Sequence, residues 1–237
     1  MKIRIAINGF GRIGRNLFRL LLNHPQIEVV AINDIADTMT MAHLLKYDSI
    51  HGVLPLEVKA DEKGININGN HIRFFHEKSI ANLDWKSLDI DYVIESTGKY
   101  KTFDELNAHI LAGAKKVILS APSEVETIKT VVLGVNETIL DGSETIISNA
   151  SCTTNNAAPM IQIIDQLCGI EQAYITTIHS FTTDQSLHDQ PHKDLRRARG
   201  ASQSIVPTTT GAAKALTKIF THLENKMGGC GIRVPVP

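Results

Sequence analysis

Cys152 stands in Asn149–Asn156, NASCTTNN, a run of small polar residues leading into an apolar helical pattern. A cysteine at a helix N-terminus faces the positive end of the dipole, which favours the thiolate, the nucleophilic form. Such a nucleophile needs a base, most often histidine, close in space though often distant in sequence. Of the ten histidines, His179 is best placed. It lies at the end of a Thr- and Ile-rich strand pattern, QAYITTIHS, just ahead of a long polar stretch. Strand ends beside loops are where a rigid scaffold carries functional groups. Spacing alone leaves the plainer readings open, with Cys152 a buried packing residue and His179 a structural one. Three cysteines, Cys152, Cys168 and Cys230, are odd in number and far apart, which is neither a disulfide framework nor a CxxC metal site. Cys168 falls late in an amphipathic helix and is expected in the core; Cys230, in a Gly-rich strand, is expected to be inert. HDQPHKD resembles a metal cluster, but Pro191 breaks the helical spacing a zinc site would use, so no metal is expected and the stretch reads as a solvated loop.

A second set of residues lies near the N-terminus. Gly9, Gly11 and Gly14 in NGFGRIGR have the G-x-G-x-x-G spacing. The spacing alone is common, but here it follows a strand-like run, KIRIAIN, and opens a helical one, RIGRNLFRLLLNH. In that context Gly9 allows a tight turn, Gly11 lets backbone approach a pyrophosphate, and Gly14 lets helix pack closely on strand. The helix N-terminus supplies unpaired N–H groups and a positive dipole end. Asp34 ends the next strand-like run, EVVAIND, about 20 residues after Gly14. A carboxylate there hydrogen-bonds both hydroxyls of an adenosine ribose and repels a 2′-phosphate, so NAD is expected over NADP. The plainer alternative is a glycine-rich turn beside a surface aspartate.

The elements that must hold these groups follow from periodicity. Strand-like Lys2–Asn8 and Glu28–Asp34 alternate with helical Arg12–His24 and Met39–Tyr47. Gly64–Phe75 reads as an antiparallel hairpin turning at 68–70, and Asp91–Ser120 as a further βαβ unit. Strands alternating with helices imply a parallel sheet covered on both faces. Near residue 150 the pattern changes, which divides the chain into an expected domain over 1–150 and another over 151–237. The second begins with a helix from Ser151 or Cys152 to Cys168, capped by Gly169. It continues through the strand ending at Ser180, a polar stretch from Phe181 to Gln203 of a length that is usually functional, a helix over Thr210–Phe220 and a strand over Gly229–Val236. The composition, 43% apolar and 21% charged, is that of an ordinary globular protein. A net charge of −1 gives no electrostatic reason to expect nucleic acid or membrane partners, and the basic run LRRARG is too short to change that. With no leader-like N-terminal pattern and no run approaching 18 apolar residues, a cytoplasmic location is expected.

In order along the chain, INGFGRIGRN, AIND, MAHLLKYDS, ESTG, AGAKKVILSAPS, SNASCTTNNAAP, TTIHSFTTDQ, DLRRARGASQSIVPTTTGAAKA and GIRVPVP together resemble the phosphorylating glyceraldehyde-3-phosphate dehydrogenases of bacterial type. The resemblance implies a Rossmann-type α/β fold, a doubly wound, mostly parallel sheet, followed by part of an α+β catalytic domain. It implies Cys152 as nucleophile and His179 as base, with cofactor contacts at Phe10, Gly11, Arg12, Ile13, Asp34, Thr97 and Ser120. It further implies two anion sites, one of Thr182, Asp184 and Arg233, the other of Ser151, Thr153, Thr210, Gly211 and Arg199, the last brought towards the thiol by the long loop. Substrates implied are glyceraldehyde 3-phosphate and inorganic phosphate, and the assembly a homotetramer when full length. Family members usually carry a second cysteine where this chain has Asn156, a position the thiol chemistry does not require. Family members also continue through more strands and a C-terminal helix, so a chain ending at Pro237 is expected to be C-terminally truncated. LKYDS and DLRR occur in the related erythrose-4-phosphate dehydrogenases too, whereas FTTDQ and PTTTGAAKA resemble the glyceraldehyde enzyme. A non-catalytic NAD-binding protein keeping the same fold is the reading from a different class.

Overall fold

The computed structural model describes residues 2–237. Two units are present, one of residues up to Val131 with Glu137–Ala150, the other of Val132–Asn136 with Ser151–Pro237.

In the first unit, β1 (Ile3–Asn8), α1 (Arg12–Leu21), β2 (Ile27–Asn33) and α2 (Thr38–Lys46) are followed by a two-residue pair, β3 (Tyr47–Asp48) and β4 (Gly52–Val53). Then come β5 (Val58–Asp61), β6 (Gly64–Ile67), β7 (Asn70–Phe75), β8 (Tyr92–Glu95), α3 (Phe103–Leu111), β9 (Lys116–Leu119), β10 (Lys129–Thr130) and β11 (Ile146–Ser148). Nine strands make one sheet in the order β10-β11-β9-β8-β1-β2-β7-β6-β5. Pairing is parallel from β10 to β7 and antiparallel where β6 and β5 are added. The expected hairpin causes that reversal: Asn68 and Gly69 both take positive φ, 49° and 89°, the turn whose twist matches paired strands. The short strands β10 and β11, of two and three residues, carry no periodic signal of their own.

Alternation along β1 sends Ile5 and Ile7 to an apolar cluster with Phe18, Ile32 and Leu45. It sends Ala6 to a second cluster with Ala31, Trp85, Leu106 and Leu119. A sheet buried on both faces needs apolar residues on both, which is why these strands read as nearly continuous hydrophobic runs. Because β2 and β8 flank β1, connections leave it in opposite directions, and the crevice at the carboxyl ends of such strands is where α/β sheets bind ligands. Asn8 there pairs in register with Asn33 on one side and Glu95 on the other.

The second unit holds α4 (Cys152–Cys168), β12 (Ala173–Ser180), β13 (Val206–Thr208), α5 (Ala212–Ile219) and β14 (Met227–Val234). Its sheet has the order β12-β14-β13, parallel between β12 and β14 and antiparallel between β14 and β13. Ser151 caps α4 by accepting from the Thr154 N–H, and Gly169 ends it at φ 70°. Ala157, Ala158 and Ile161 pack inward, but from Ile163 onward no residue of α4 is buried. Cys168 therefore departs from expectation and is exposed: the helical spacing is right, but the last turns have no layer to pack on. The polar stretch after Ser180 contains a 3-10 turn at Leu195–Ala198. Among the described residues, no helix is long and apolar enough to cross a membrane.

Candidate active site

Two sets of functional groups are present, one in each unit. In the first, a cleft of about 220 Å³ is lined by Asn8, Gly9, Gly11, Asn33, Asp34, Ser96 and Thr97 among others. Gly9 has φ 91°, and a Cβ there would lie 2.5 Å from the Thr97 nitrogen. A Cβ on Gly14 would lie 2.2 Å from the Gly9 carbonyl oxygen, so helix and strand meet at a distance only glycine permits. Gly11 differs, because a Cβ there would meet nothing within 4 Å. Gly11 is the N-cap of α1 and offers no side-chain cap, and the first turn holds no acidic residue. The first-turn N–H groups, which no intrahelical acceptor serves, thus face open space with a positive dipole end behind them.

Asp34 accepts from the Phe10 N–H at 2.7 Å and the Ala36 N–H at 3.0 Å, which fixes its carboxylate at the cleft edge. Phe10 itself turns its ring into the core against Phe18 and Phe74. Arg12 reaches Asp48 at 3.5 Å, and Ile13 is exposed. Thr97 gives its N–H and hydroxyl to Glu95, and the Ser120 hydroxyl donates to the Glu95 carbonyl at 3.0 Å.

In the second unit, Cys152 opens α4 and is exposed. Its Sγ lies 3.3 Å from His179 Nε2, with Thr153 Oγ1 at 4.0 Å. These residues share a cavity of about 300 Å³ with Asn156, Met160 and Ile175–Ile178. Parallel register puts His179 directly beside Arg233. Arg233 Nη1 is 2.6 Å from His179 Nδ1 and 3.0 Å from the Ser180 carbonyl, which Nδ1 also meets at 2.7 Å. Nδ1 cannot serve both neighbours at once. Carrying a proton, it donates to Ser180 and leaves Nε2 to accept from a thiol; bare, it accepts from Arg233 while Nε2–H donates to a thiolate. Both charge states of Cys152 therefore have a matching imidazole. Burial, followed by the charge of Arg197, lowers the pKa of Arg233. Ala150, just ahead of this segment, has φ 58°, a left-handed conformation that costs an L-residue about 1–2 kcal/mol.

The other expected anion-site residues divide. Ser151 and Thr153 flank the thiol. Thr210 accepts from the Ala212 N–H at 3.2 Å, and Gly211 is the N-cap of α5. Thr182 contributes its carbonyl to the Gln185 N–H. Burial alone would raise the Asp184 carboxyl, but hydrogen bonds from Arg197 and His192 outweigh it and hold it below its ordinary value. Arg199, expected to be carried towards the thiol, is instead 3.0 Å from Asp189 in its own loop. The guanidinium that joins the group is Arg197, 2.7 Å from both Asp184 and Thr208. Three arginines within LRRARG gave no means of choosing among them. Among the described residues, no cluster of His, Cys, Asp and Glu is placed to hold a metal.

Residues 3–103 match the family model for the glyceraldehyde 3-phosphate dehydrogenase NAD binding domain, and residues 151–237 the model for its C-terminal domain. The chain belongs to the glyceraldehyde 3-phosphate dehydrogenase family. It is 51% identical to glyceraldehyde-3-phosphate dehydrogenase 2 of Bacillus subtilis, with all of this chain aligned to 70% of that protein. It is 52% identical to glyceraldehyde-3-phosphate dehydrogenase 2 of Streptomyces avermitilis, again over the whole chain and 71% of the relative. A third relative, glyceraldehyde-3-phosphate dehydrogenase of Mycobacterium avium, is 51% identical over 72% of its length. The family's NAD fits the first-unit cleft on its own geometry. Free helix amides and the open face of Gly11 suit a pyrophosphate, and the fixed Asp34 carboxylate suits ribose hydroxyls.

Proposed function

We propose that the protein is an NAD-dependent phosphorylating dehydrogenase that converts glyceraldehyde 3-phosphate and inorganic phosphate into 1,3-bisphosphoglycerate. The observation that carries this reading is the 3.3 Å contact between Cys152 Sγ and His179 Nε2 at the start of α4, in a chain of this family. Residues 1–150 act as the NAD-binding domain and 151–237 as part of the catalytic domain.

His179 removes the thiol proton, and the thiolate of Cys152 attacks the aldehyde carbon. As the C–S bond forms, the carbonyl π pair moves to oxygen, where the amides at the start of α4 stabilise it, and Nε2 returns its proton to that oxygen, giving a thiohemiacetal hydroxyl and a bare Nε2. NAD supplies the hydride acceptor. As the C–H electron pair departs, His179 Nε2 takes the hydroxyl proton, leaving a thioester on Cys152. A phosphate oxygen then bonds to the acyl carbon, the C–S bond breaks, and the thiolate is regenerated. Two anions must be bound, and guanidinium forks with hydroxyls suit them better than bulk charge does. Arg233, Asp184 and Thr182 serve one, joined by Arg197 through its contact with Asp184; Ser151, Thr153, Thr210 and Gly211 serve the other, with Arg199 assigned there by resemblance. The reading extends to a cytoplasmic homotetramer.

Cys152→Ser tests the route, because an alkoxide-poor serine cannot form the thioester. Absorbance at the NADH band with aldehyde and phosphate should show no turnover in the variant. Retained NADH formation would refute the mechanism.

A further inference from the structure

Beneath the ends of β1 and β8 lies a polar group with no part in the chemistry above. Glu95 and His109 both have zero exposure. The Trp85 indole N–H, a donor only, is 3.0 Å from His109 Nδ1. That nitrogen must accept, so the neutral ring carries its proton on Nε2, which faces Glu95 Oε2 at 3.1 Å. Asn8 Nδ2 donates to the same oxygen at 2.5 Å. Glu95 Oε1 accepts from the Thr97 N–H at 2.8 Å and meets the Thr97 hydroxyl. Three of these four donors are fixed N–H groups, the complement of a carboxylate rather than of a carboxylic acid.

The consequence appears on the cleft side. With Glu95 a carboxylate, the Thr97 hydroxyl proton points inward; its oxygen accepts from the Lys99 N–H at 3.2 Å and keeps one lone pair for the cleft. Ser96, also on the cleft wall, spends its proton on the Gly9 carbonyl at 2.7 Å. Asn33 Nδ2 donates to Asn8 Oδ1 at 2.7 Å and to the Glu77 carbonyl at 3.0 Å, and Asn33 Oδ1 accepts from the Glu77 N–H at 2.8 Å, so neither amide has a donor to spare for the cleft. This wall therefore offers acceptors, whereas the Gly11 end of the same cleft offers N–H donors.

We propose that Glu95 is a positioning residue that, held by His109 and Asn8, turns the Thr97 hydroxyl into an acceptor, so that the wall of Ser96 and Thr97 receives donor-bearing groups of the dinucleotide (hydroxyl or amino) and excludes its phosphates. This rests on the cofactor reading of the cleft. The dinucleotide is thereby oriented by polarity as well as shape, its anionic middle directed to the amides of α1.

Two measurements test it. NAD⁺ titrations by calorimetry on the wild type, Glu95→Gln, Thr97→Val and the double variant form a cycle. Each single change should weaken binding about tenfold, the effect of one charge-assisted hydrogen bond, and the double variant should bind no worse than the weaker single. Losses that multiply, or unchanged binding in Glu95→Gln, would overturn the proposal. Separately, ¹⁵N NMR of the wild-type chain should show His109 with Nδ1 bare and Nε2 protonated. The opposite tautomer would overturn it even if Glu95→Gln fails to fold. A wild-type chain that binds no NAD⁺ would remove the cofactor reading itself, a result distinct from the tautomer.

Discussion

Gly9→Ala and Gly11→Ala each add one methyl group to the same loop, yet they should fail in opposite ways. At Gly9 the added carbon would sit 2.5 Å from the Thr97 nitrogen and 2.7 Å from the Ser96 carbonyl carbon, both backbone atoms, with φ at 91°. Left-handed backbone costs an L-residue about 1–2 kcal/mol, and an overpacked methyl adds about 1–3 kcal/mol. The sum, about 2–5 kcal/mol, is a large share of a typical stability of about 5–15 kcal/mol. At Gly11 the backbone is ordinary and extended, φ −68° and ψ −158°, and no atom lies within 4 Å of the new carbon. Stability should hold or rise by about 0.4–1 kcal/mol as the unfolded chain loses freedom. The methyl would instead occupy the space where a pyrophosphate meets the α1 amides, and NAD⁺ binding should fall tenfold or more, about 1.4 kcal/mol. Urea unfolding paired with NAD⁺ titration separates the two effects. Normal NAD⁺ affinity in Gly11→Ala, or wild-type stability in Gly9→Ala, would refute the division of labour between these glycines.

Cys152 and Cys168 are both exposed, so accessibility does not distinguish them. Iodoacetamide at neutral pH should nonetheless label Cys152 first, and equal rates in peptide mapping would mean that His179 and the helix N-terminus do not activate the thiol. Ala150→Gly should hold or raise urea stability, because relief of the left-handed backbone, about 1–2 kcal/mol, matches or exceeds the roughly 0.5–1 kcal/mol that glycine otherwise costs; a loss of that glycine cost in full would mean φ 58° carries no strain. Contact with Lys129 lowers the Glu144 carboxyl from 4.5 to about 2. Its contribution to stability is complete above the unfolded value and disappears as pH falls towards the folded one. Glu144→Gln should therefore flatten the acid limb of the stability curve between those values, and an unaltered limb in acid titrations of stability would refute it.

The alternation of strands and helices was legible because a sheet covered on both faces imposes apolar runs on β1, β2, β8 and β9. The hairpin was legible for a different reason: Asn68–Gly69 is a turn signal at the level of two residues. Short edge strands such as β10, with two residues, exist only through their pairing and leave no periodic trace. Cys168 was misjudged because helical spacing says which face a residue is on but not whether anything covers it. Choosing between Arg197 and Arg199 needed the loop's own path, which turns Arg199 to Asp189. Glu95 and His109 were invisible for the most general reason. A charged residue ending a strand and a histidine on an amphipathic helix read as surface groups until tertiary contacts satisfy every donor around them.

Both sites use the same device to assemble side chains that are distant in sequence. Parallel pairing aligns the carboxyl ends of neighbouring strands at one edge, so the residues that end them stand side by side. Asn8 meets Glu95 across β1 and β8, and His179 meets Arg233 across β12 and β14. A helix N-terminus, Gly11 for α1 and Ser151 for α4, supplies the positive end. Because strand side chains alternate between faces, a slip of one residue between β12 and β14 would carry Arg233 to the opposite face from His179. The imidazole would then lose its guanidinium neighbour without any change to either residue. The positions that guard the chemistry thus include those that fix register far from it, such as Gly229, where an added Cβ would lie 3.0 Å from the Ile175 carbonyl oxygen.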